Sequence, residues 1–478
     1  MESGPNGPLF FEKIIITADI MKKHSHTAAI ALMALALSSC GTKPQNPVLE
    51  ITGGKVQGVL TDSTNVMVYK GIPFAAPPVG DLRWQAPQPV VAWDGVKVAD
   101  TFAKIPIQPG HEKGSFYWNE FNWWDAPEQS EDCLYLNVWA PAGTVGNTNA
   151  KLPVAMWVHG GGFTNGYSYE LTMDGDAWAK RGVILVTITY RMGIIGFLSH
   201  PELSAEQGGV SGNYGFLDQV AALRWVKDNI AQFGGNPDDI TIFGQSAGAS
   251  SIKNLVMSPL SKDLMAKAII QSGGGIGKEN PDAPAPADPK TFDELGKAVM
   301  DAGGLTTLEK MRAATPAELS AASAAYVAAG NRNVRMAPHT DGKVLLESFD
   351  QAVYGKRIAD IPYMIGYTAQ DMGGLGGGAI DRFAAVRDSL SNQPVYQYFF
   401  QRNPPGDDDD PATDPGAFHS SELWYMFGTL SNCWRPFTEA DYALSEKMVD
   451  AWTGFAKKAN PGWKESGMTQ YQEILDIE

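Results

Sequence analysis

Ser246 stands in Gly244-Gln245-Ser246-Ala247-Gly248, a hydroxyl flanked by small residues directly after the apolar run Ile240 to Phe243. A serine hydroxyl is a poor nucleophile at neutral pH. It attacks acyl carbons when a base takes its proton and amide N–H groups receive the charge that develops on the carbonyl oxygen. A sharp strand-to-helix corner at this pentapeptide would lift the hydroxyl clear of the backbone and turn the first amides of the following helix toward that charge. Such a five-residue match is common by chance, and its position between a strand and a helix is what makes it informative. Eighty-seven residues upstream, His159-Gly160-Gly161-Gly162-Phe163 closes another apolar run, Val154 to Val158. Three glycines leave the backbone bare, so their N–H groups, with that of Ala247, make a candidate oxyanion hole. A phosphate-binding turn is the competing reading, but no downstream Lys-Ser/Thr or dinucleotide pattern accompanies it. His159 precedes the nucleophile and is expected to shape this loop.

A serine of this kind needs a base and an acid to orient it. The chain order in nucleophile-elbow enzymes is serine, acid, histidine, and only His339 and His419 follow Ser246. His339 sits in Pro338-His339-Thr340-Asp341-Gly342, which reads as a turn leading into a strand. His419 lies in a polar loop after the apolar run Val395 to Phe400, where it is free to reach over the sheet edge, and it is the preferred base. The acid should come from just beyond a strand end between these two positions. Asp371 fits, following Pro362 to Ile365 and Gly366, whereas Asp341 and Glu347 do not sit just after a strand.

These residues have to be held by a particular kind of scaffold. Val154 to Val158 and Val183 to Thr189 read as strands buried on both faces, and Phe216 to Phe233 reads as a helix, with Phe216, Val220, Leu223, Val226 and Ile230 on one side and Gly234 to cap it. Alternation of this kind predicts an α/β fold with a large, mostly parallel sheet covered by helices. From Pro44 to about Val98 the pattern is short strands broken by Gly and Pro, an antiparallel edge. Residues 275–335 turn Ala-rich, with a helix start at Thr315-Pro316-Ala317-Glu318, and are expected to form an inserted helical cap over the catalytic edge. The last stretch is helical around Met448, Trp452 and Phe455. No fixed-period repeat is present, so residues 41–478 are read as a single domain.

Composition narrows the partners. The chain has 478 residues, 44% of them hydrophobic, with 13 Trp and 20 Phe, enough to bury a large core. Its formal charge of -16 repels phosphate backbones, which argues against nucleic acid. Three cysteines, Cys40, Cys133 and Cys433, are too few and too scattered for a disulfide scaffold or a Cys-rich zinc site, and no metal or organic cofactor is implied. Met21 to Cys40 reads as a bacterial export signal: Lys22 and Lys23, then the apolar run Ala28 to Leu37, then Leu37-Ser38-Ser39-Cys40, which resembles a lipobox. The expectation is export to the periplasm or outer membrane, with lipidated Cys40 as the sole membrane anchor. Residues 1–20 then precede the true start at Met21 and have no fold.

The motifs together resemble the type-B carboxylesterase family, the group of bacterial para-nitrobenzyl esterases, bile-salt-activated lipases and cholinesterases. The likeness spans most of residues 50–460. It includes Gly71-Ile72-Pro73-Phe74-Ala75, Ser130-Glu131-Asp132-Cys133-Leu134-Tyr135-Leu136-Asn137 and Gly212-Asn213-Tyr214-Gly215-Phe216-Leu217-Asp218-Gln219. This resemblance implies the α/β-hydrolase fold, a Ser246-Asp371-His419 triad, and Gly161, Gly162 and Ala247 as oxyanion donors. The implied reaction is hydrolysis of a small-molecule carboxylic ester through an acyl-enzyme. Small to medium acyl or aryl esters are expected; acetyl or feruloyl groups on polysaccharide, or glycerides, are the alternatives, and a non-catalytic binding protein of the cholinesterase-like type is the remote one.

The chain departs from the family pattern in several places. Where the family usually has Glu before the nucleophile, this chain has neutral Gln245, which weakens the case for a choline ester. Trp123 matches the cation-stacking position of cholinesterases, yet the cluster Phe116, Tyr117, Trp118, Phe121, Trp123 and Trp124 reads equally as a wall. Cys133 occupies a family disulfide position, but Phe102 to Gln108 has no partner for it, so a free buried thiol is expected. Only 48 residues separate Asp371 from His419, fewer than usual for the family, which implies a more open site. The run Gly373 to Gly378 is read as a flexible loop, with a gate beside the acid as the alternative, and Asp407 to Asp410 as a solvated loop without calcium-loop spacing.

Overall fold

The structure is a computed structural model that describes residues 46–61, 64–121, 127–280, 287–332, 334, 336–372, 377–407 and 413–464, with the backbone of 472–475. Residues 1–20, the expected export signal Met21 to Cys40, Trp123 and Trp124, Gly373 to Gly376, and Asp408 to Asp410 lie outside the described residues.

Among the described residues, thirteen strands make two sheets. Val48–Ile51 (β1), Gly54–Gln57 (β2) and Val96–Val98 (β5) form a small one in the order β1-β2-β5. The other ten are Val59–Leu60 (β3), Val66–Pro73 (β4), Tyr135–Pro141 (β6), Leu152–Val158 (β7), Ile184–Ile188 (β8), Gly235–Gln245 (β9), Lys267–Gln271 (β10), Tyr363–Thr368 (β11), Val395–Phe400 (β12) and Gln472–Leu475 (β13). Their order is β13-β12-β11-β10-β9-β7-β8-β6-β4-β3. From β13 to β8 every pairing is parallel, and the β8-β6-β4-β3 end is antiparallel. Of the expected N-terminal antiparallel edge, β3 and β4 join the antiparallel end of the large sheet, whereas β1, β2 and β5 stand apart in the small one, where β2 and β5 pair in parallel.

Side-chain alternation sorts the central strands onto two cores. Val154, Met156 and Val158 of β7 and Ile240 and Ile242 of β9 face one side, with the helices Tyr214–Asn229 and Ala247–Met257. Ala155 and Trp157 of β7 and Phe243 of β9 face the other, with the helices Glu422–Phe427 and Glu439–Lys458. Strands buried on both faces lose the polar alternation of an exposed sheet, which is why they read as continuous apolar runs. The helix expected to reach Phe233 ends at Asn229 and tightens into a 3-10 turn over Ile230–Phe233, closed by Gly234 at φ 90°. The 275–335 region holds helices Pro289–Ala302, Leu308–Ala313 and Pro316–Ala328, the last opened by the Thr315/Glu318 capping box. They pack around their own small core of Met300, Met311 and Leu319 with Trp84 and Leu198.

Candidate active site

Parallel register brings four strand ends to one line. Gln245 of β9 pairs with Gln271 of β10, which pairs with Gly366 of β11, which pairs with Tyr398 of β12. Groups on the loops leaving these ends therefore meet above the carboxyl edge of the sheet, where α/β folds bind ligands. Ser246 is the first residue past β9. It sits at φ 58°, ψ -120°, a conformation costing roughly 1–3 kcal/mol for a residue with a side chain, held in place by its N–H to the Gln271 carbonyl at 2.9 Å. Four of the nine described non-glycine residues with positive φ, namely Phe163, Ser246, Ser272 and Ser420, line one cavity, so backbone strain is concentrated there. The elbow packs directly on the end of β7: a Cβ on Gly248 would lie 2.1 Å from the Val158 carbonyl oxygen.

The glycine loop leaves β7 and meets the elbow. A Cβ on Gly160 would lie 3.2 Å from that of Ser246, and Gly161 holds φ 90° with its Cα against the Asn165 carbonyl, a position that only glycine fills without strain. His159 is fully buried, stacked on Tyr190 with centroids 4.4 Å apart. Burial lowers its pKa to about 4, so it is a neutral wall of the loop at neutral pH.

Asp371 lies three residues past β11 and His419 in the loop between β12 and the helix Glu422–Phe427. The two loops are pinned together because Gln370 N–H donates to the Ala417 carbonyl at 3.0 Å and Gln370 pairs with Phe418. His419 Nδ1 then hydrogen-bonds Asp371 Oδ1. Burial pushes the Asp371 carboxyl up, but hydrogen bonds from His419, Ser272 and the Thr368 amide, with the imidazole's charge, outweigh it, and the net shift is downward. It is ionised at neutral pH. With Nδ1–H committed to this carboxylate, Nε2 carries the lone pair and accepts from the Gln245 side-chain amide at 3.2 Å.

Ser246, Ala247, Gly161, Gly162 and His419 all line one cavity of about 810 Å³, with Tyr117, Phe121, Phe163, Met173 and Leu423 among its apolar walls. The expected cap helices 289–328 contribute no lining residue; Val334 and Ala337, which follow them, do. His339 is buried elsewhere, stacked on Phe292 with its N–H bonded to Asn213, and Asp341 serves the same anchor through Asn213. Cys133 is buried and free. Among the described residues no His, Cys, Asp and Glu group is arranged to hold a metal ion.

Three site residues escaped the reading of the sequence. Gln245 is notable in the sequence for its lack of charge, but nothing there shows its contact with His419. Glu422, three residues past His419, is fully buried, and burial together with the Asp371 charge raises its carboxyl to about 8, so it is neutral at pH 7. Glu170 lines the cavity with no motif to announce it. Each depends on which loops the fold brings together.

Residues 45–386 and 378–476 match the model of the carboxylesterase family. The chain is 33% identical to a para-nitrobenzyl esterase of Bacillus subtilis, over 89% of this chain and 94% of that one. It is 41% identical to a fumonisin B1 esterase of Sphingopyxis macrogoltabida over 72% of this chain, a stretch that spans only 58% of that relative. Among solved structures, a thermophilic para-nitrobenzyl esterase superposes with a TM-score of 0.77 at 30% identity, covering 90% of this chain and 96% of that one.

Proposed function

This chain belongs to the carboxylesterase family and is a carboxylic ester hydrolase, and from that premise we propose that Ser246 is its nucleophile, His419 its base and Asp371 the acid that orients the base. His419 Nε2 takes the Ser246 proton as Oγ bonds the acyl carbon. The amides of Gly161, Gly162 and Ala247 hold the resulting oxyanion. The carbon–oxygen bond to the alcohol then breaks, His419 returning the proton to the leaving oxygen. Water, activated by the same imidazole, attacks the acyl-enzyme, and the acid departs. One observation carries this reading: His419 bonds Asp371 through Nδ1, and His419 and Ser246 line the same cavity.

A cavity of about 810 Å³ with aromatic and aliphatic walls suits small to medium acyl or aryl esters. Ser246→Ala should lower kcat/KM for p-nitrophenyl acetate by about 10⁴-fold or more and abolish labelling by an organophosphate. Full turnover in the variant would end the assignment. The Lys22-Lys23 start, the apolar run and the Leu37-Ser38-Ser39-Cys40 ending further support export with a lipid on Cys40.

A further inference from the structure

The cavity that holds Ser246 contains a carboxyl for which the reaction has no use. Glu170 lies at the far end of the loop that starts with the three glycines, and that loop is braced throughout. The Gln108 side-chain amide grips Gly166, accepting from its N–H at 2.8 Å and donating to its carbonyl at 3.0 Å. Tyr169 stacks on Phe102 at 4.3 Å and donates its hydroxyl to the Ala103 carbonyl at 2.8 Å. Tyr167 packs edge-on against Tyr169, and its N–H donates to Glu170 Oε1 at 3.1 Å. The Glu170 carbonyl accepts from Met173 N–H at 2.7 Å. The carboxyl is therefore fixed on the wall, on the same rigid segment as Gly161 and Gly162.

Among the described residues of that wall the other titratable side chains include His111, whose imidazole is held below its usual range by burial, and His419, already bonded to Asp371. Among the described residues lining the cavity there is no lysine, no arginine and no second Asp or Glu. Burial raises the carboxyl to about 7, and the Tyr167 amide pulls only weakly the other way. Holding an acid in a partly desolvated cavity without a counter-ion costs stability, a cost that proteins carry where a ligand supplies the missing partner. An ammonium group brought alongside would favour the ionised carboxylate and form a charge-assisted hydrogen bond, about twice as strong as a hydroxyl could offer. A quaternary ammonium has no N–H to donate, and an anionic group would be repelled.

We propose that Glu170 is a specificity residue that accepts hydrogen bonds from a primary ammonium on the substrate, so that the preferred substrates are amino-bearing esters. This rests on the reading that Ser246 reacts in this cavity. Two matched series place the amine on either side of the ester: 4-nitrophenyl hexanoate, 6-aminohexanoate, 6-hydroxyhexanoate and mono-adipate, and phenyl acetates carrying 4-methyl, 4-aminomethyl or 4-carboxymethyl groups. In wild-type enzyme the amino ester of one series should exceed its neutral analogue by about tenfold in kcat/KM, and Glu170→Gln should bring that ratio to within about twofold. An unchanged ratio in Glu170→Gln, or a hydroxy ester preferred as strongly as the amino ester, overturns the proposal. Turnover of the neutral ester shows that the variant is folded, and Glu170→Asp should recover part of the ratio. A second measurement needs no turnover: calorimetric binding of 4-phenylbutylammonium to Ser246→Ala protein should weaken about tenfold when Glu170→Gln is added. Equal binding would sink the role of Glu170, whereas weakened binding without ester turnover in wild-type enzyme would sink the nucleophile assignment instead.

Discussion

Gln245, the residue before the proposed nucleophile, meets the proposed base from across the fold, since its side-chain amide occupies His419 Nε2 at 3.2 Å. The amide is neutral, so it holds the ring in the proton-accepting tautomer without favouring the imidazolium. A carboxylate there would favour the charged ring. Gln245→Glu is accordingly expected to move the acid limb of the pH profile of kcat/KM upward by about one unit, and an unmoved limb would show that the contact is incidental. Glu422 bears on stability rather than on the reaction. Its folded value of about 8 lies above the ordinary 4.5, so the native state keeps a proton that the unfolded chain releases. The stability tied to that proton is complete below pH 4.5 and is lost as pH rises through 8. Glu422→Gln keeps the neutral amide-like shape without the penalty. Thermal unfolding should find the variant gaining on wild type steadily from pH 5 to pH 8.5, and a constant gap would contradict the burial argument.

At the scale of elements, the site is two joints. One is the elbow between β9 and the helix Ala247–Met257, pressed on the end of β7 so closely that Gly248 has no room for a side chain. Gly248→Ala should push strand and elbow apart, destabilising the protein by about 1–3 kcal/mol or more in denaturant unfolding and lowering kcat further than the stability loss explains. The other joint is the pairing of the Asp371 and His419 loops through Gln370, Ala417 and Phe418. It explains how Asp371 and His419, 48 residues apart, meet without a long insertion between them. The region 275–335 was legible as helices from its capping box and composition. Its relation to the site was not, because helix signals say nothing of which neighbour an amphipathic face will choose.

Over the whole molecule, apolar runs buried on both faces by helices produce a rigid parallel centre, tied at one point by the fully buried Arg191–Asp218 pair between the end of β8 and the helix Tyr214–Asn229. The acidic surface, with a net charge of -16, suits a neutral or cationic small molecule better than a polyanion. No helix among the described residues is long and apolar enough to cross a membrane. Mass spectrometry of protein made in a bacterial host should find a diacylglyceryl-modified cysteine at position 40 as the first residue, with Cys40→Ser releasing the protein from membranes; an unmodified N-terminus upstream of it would remove the anchor.

Short-range pattern was enough to set the strand and helix sequence, the Ser246 corner and the glycine loop, since each is written in consecutive residues whose size and polarity dictate local backbone geometry. Chain order and position after a strand also marked His419 and Asp371, which the structure joins by a hydrogen bond. Tertiary structure alone decided which groups face one another across loops. The Gln245 amide on the imidazole, the proton on Glu422 and the upward-shifted carboxyl of Glu170 arise from burial and distance between segments far apart in the chain, quantities that no run of neighbouring residues encodes.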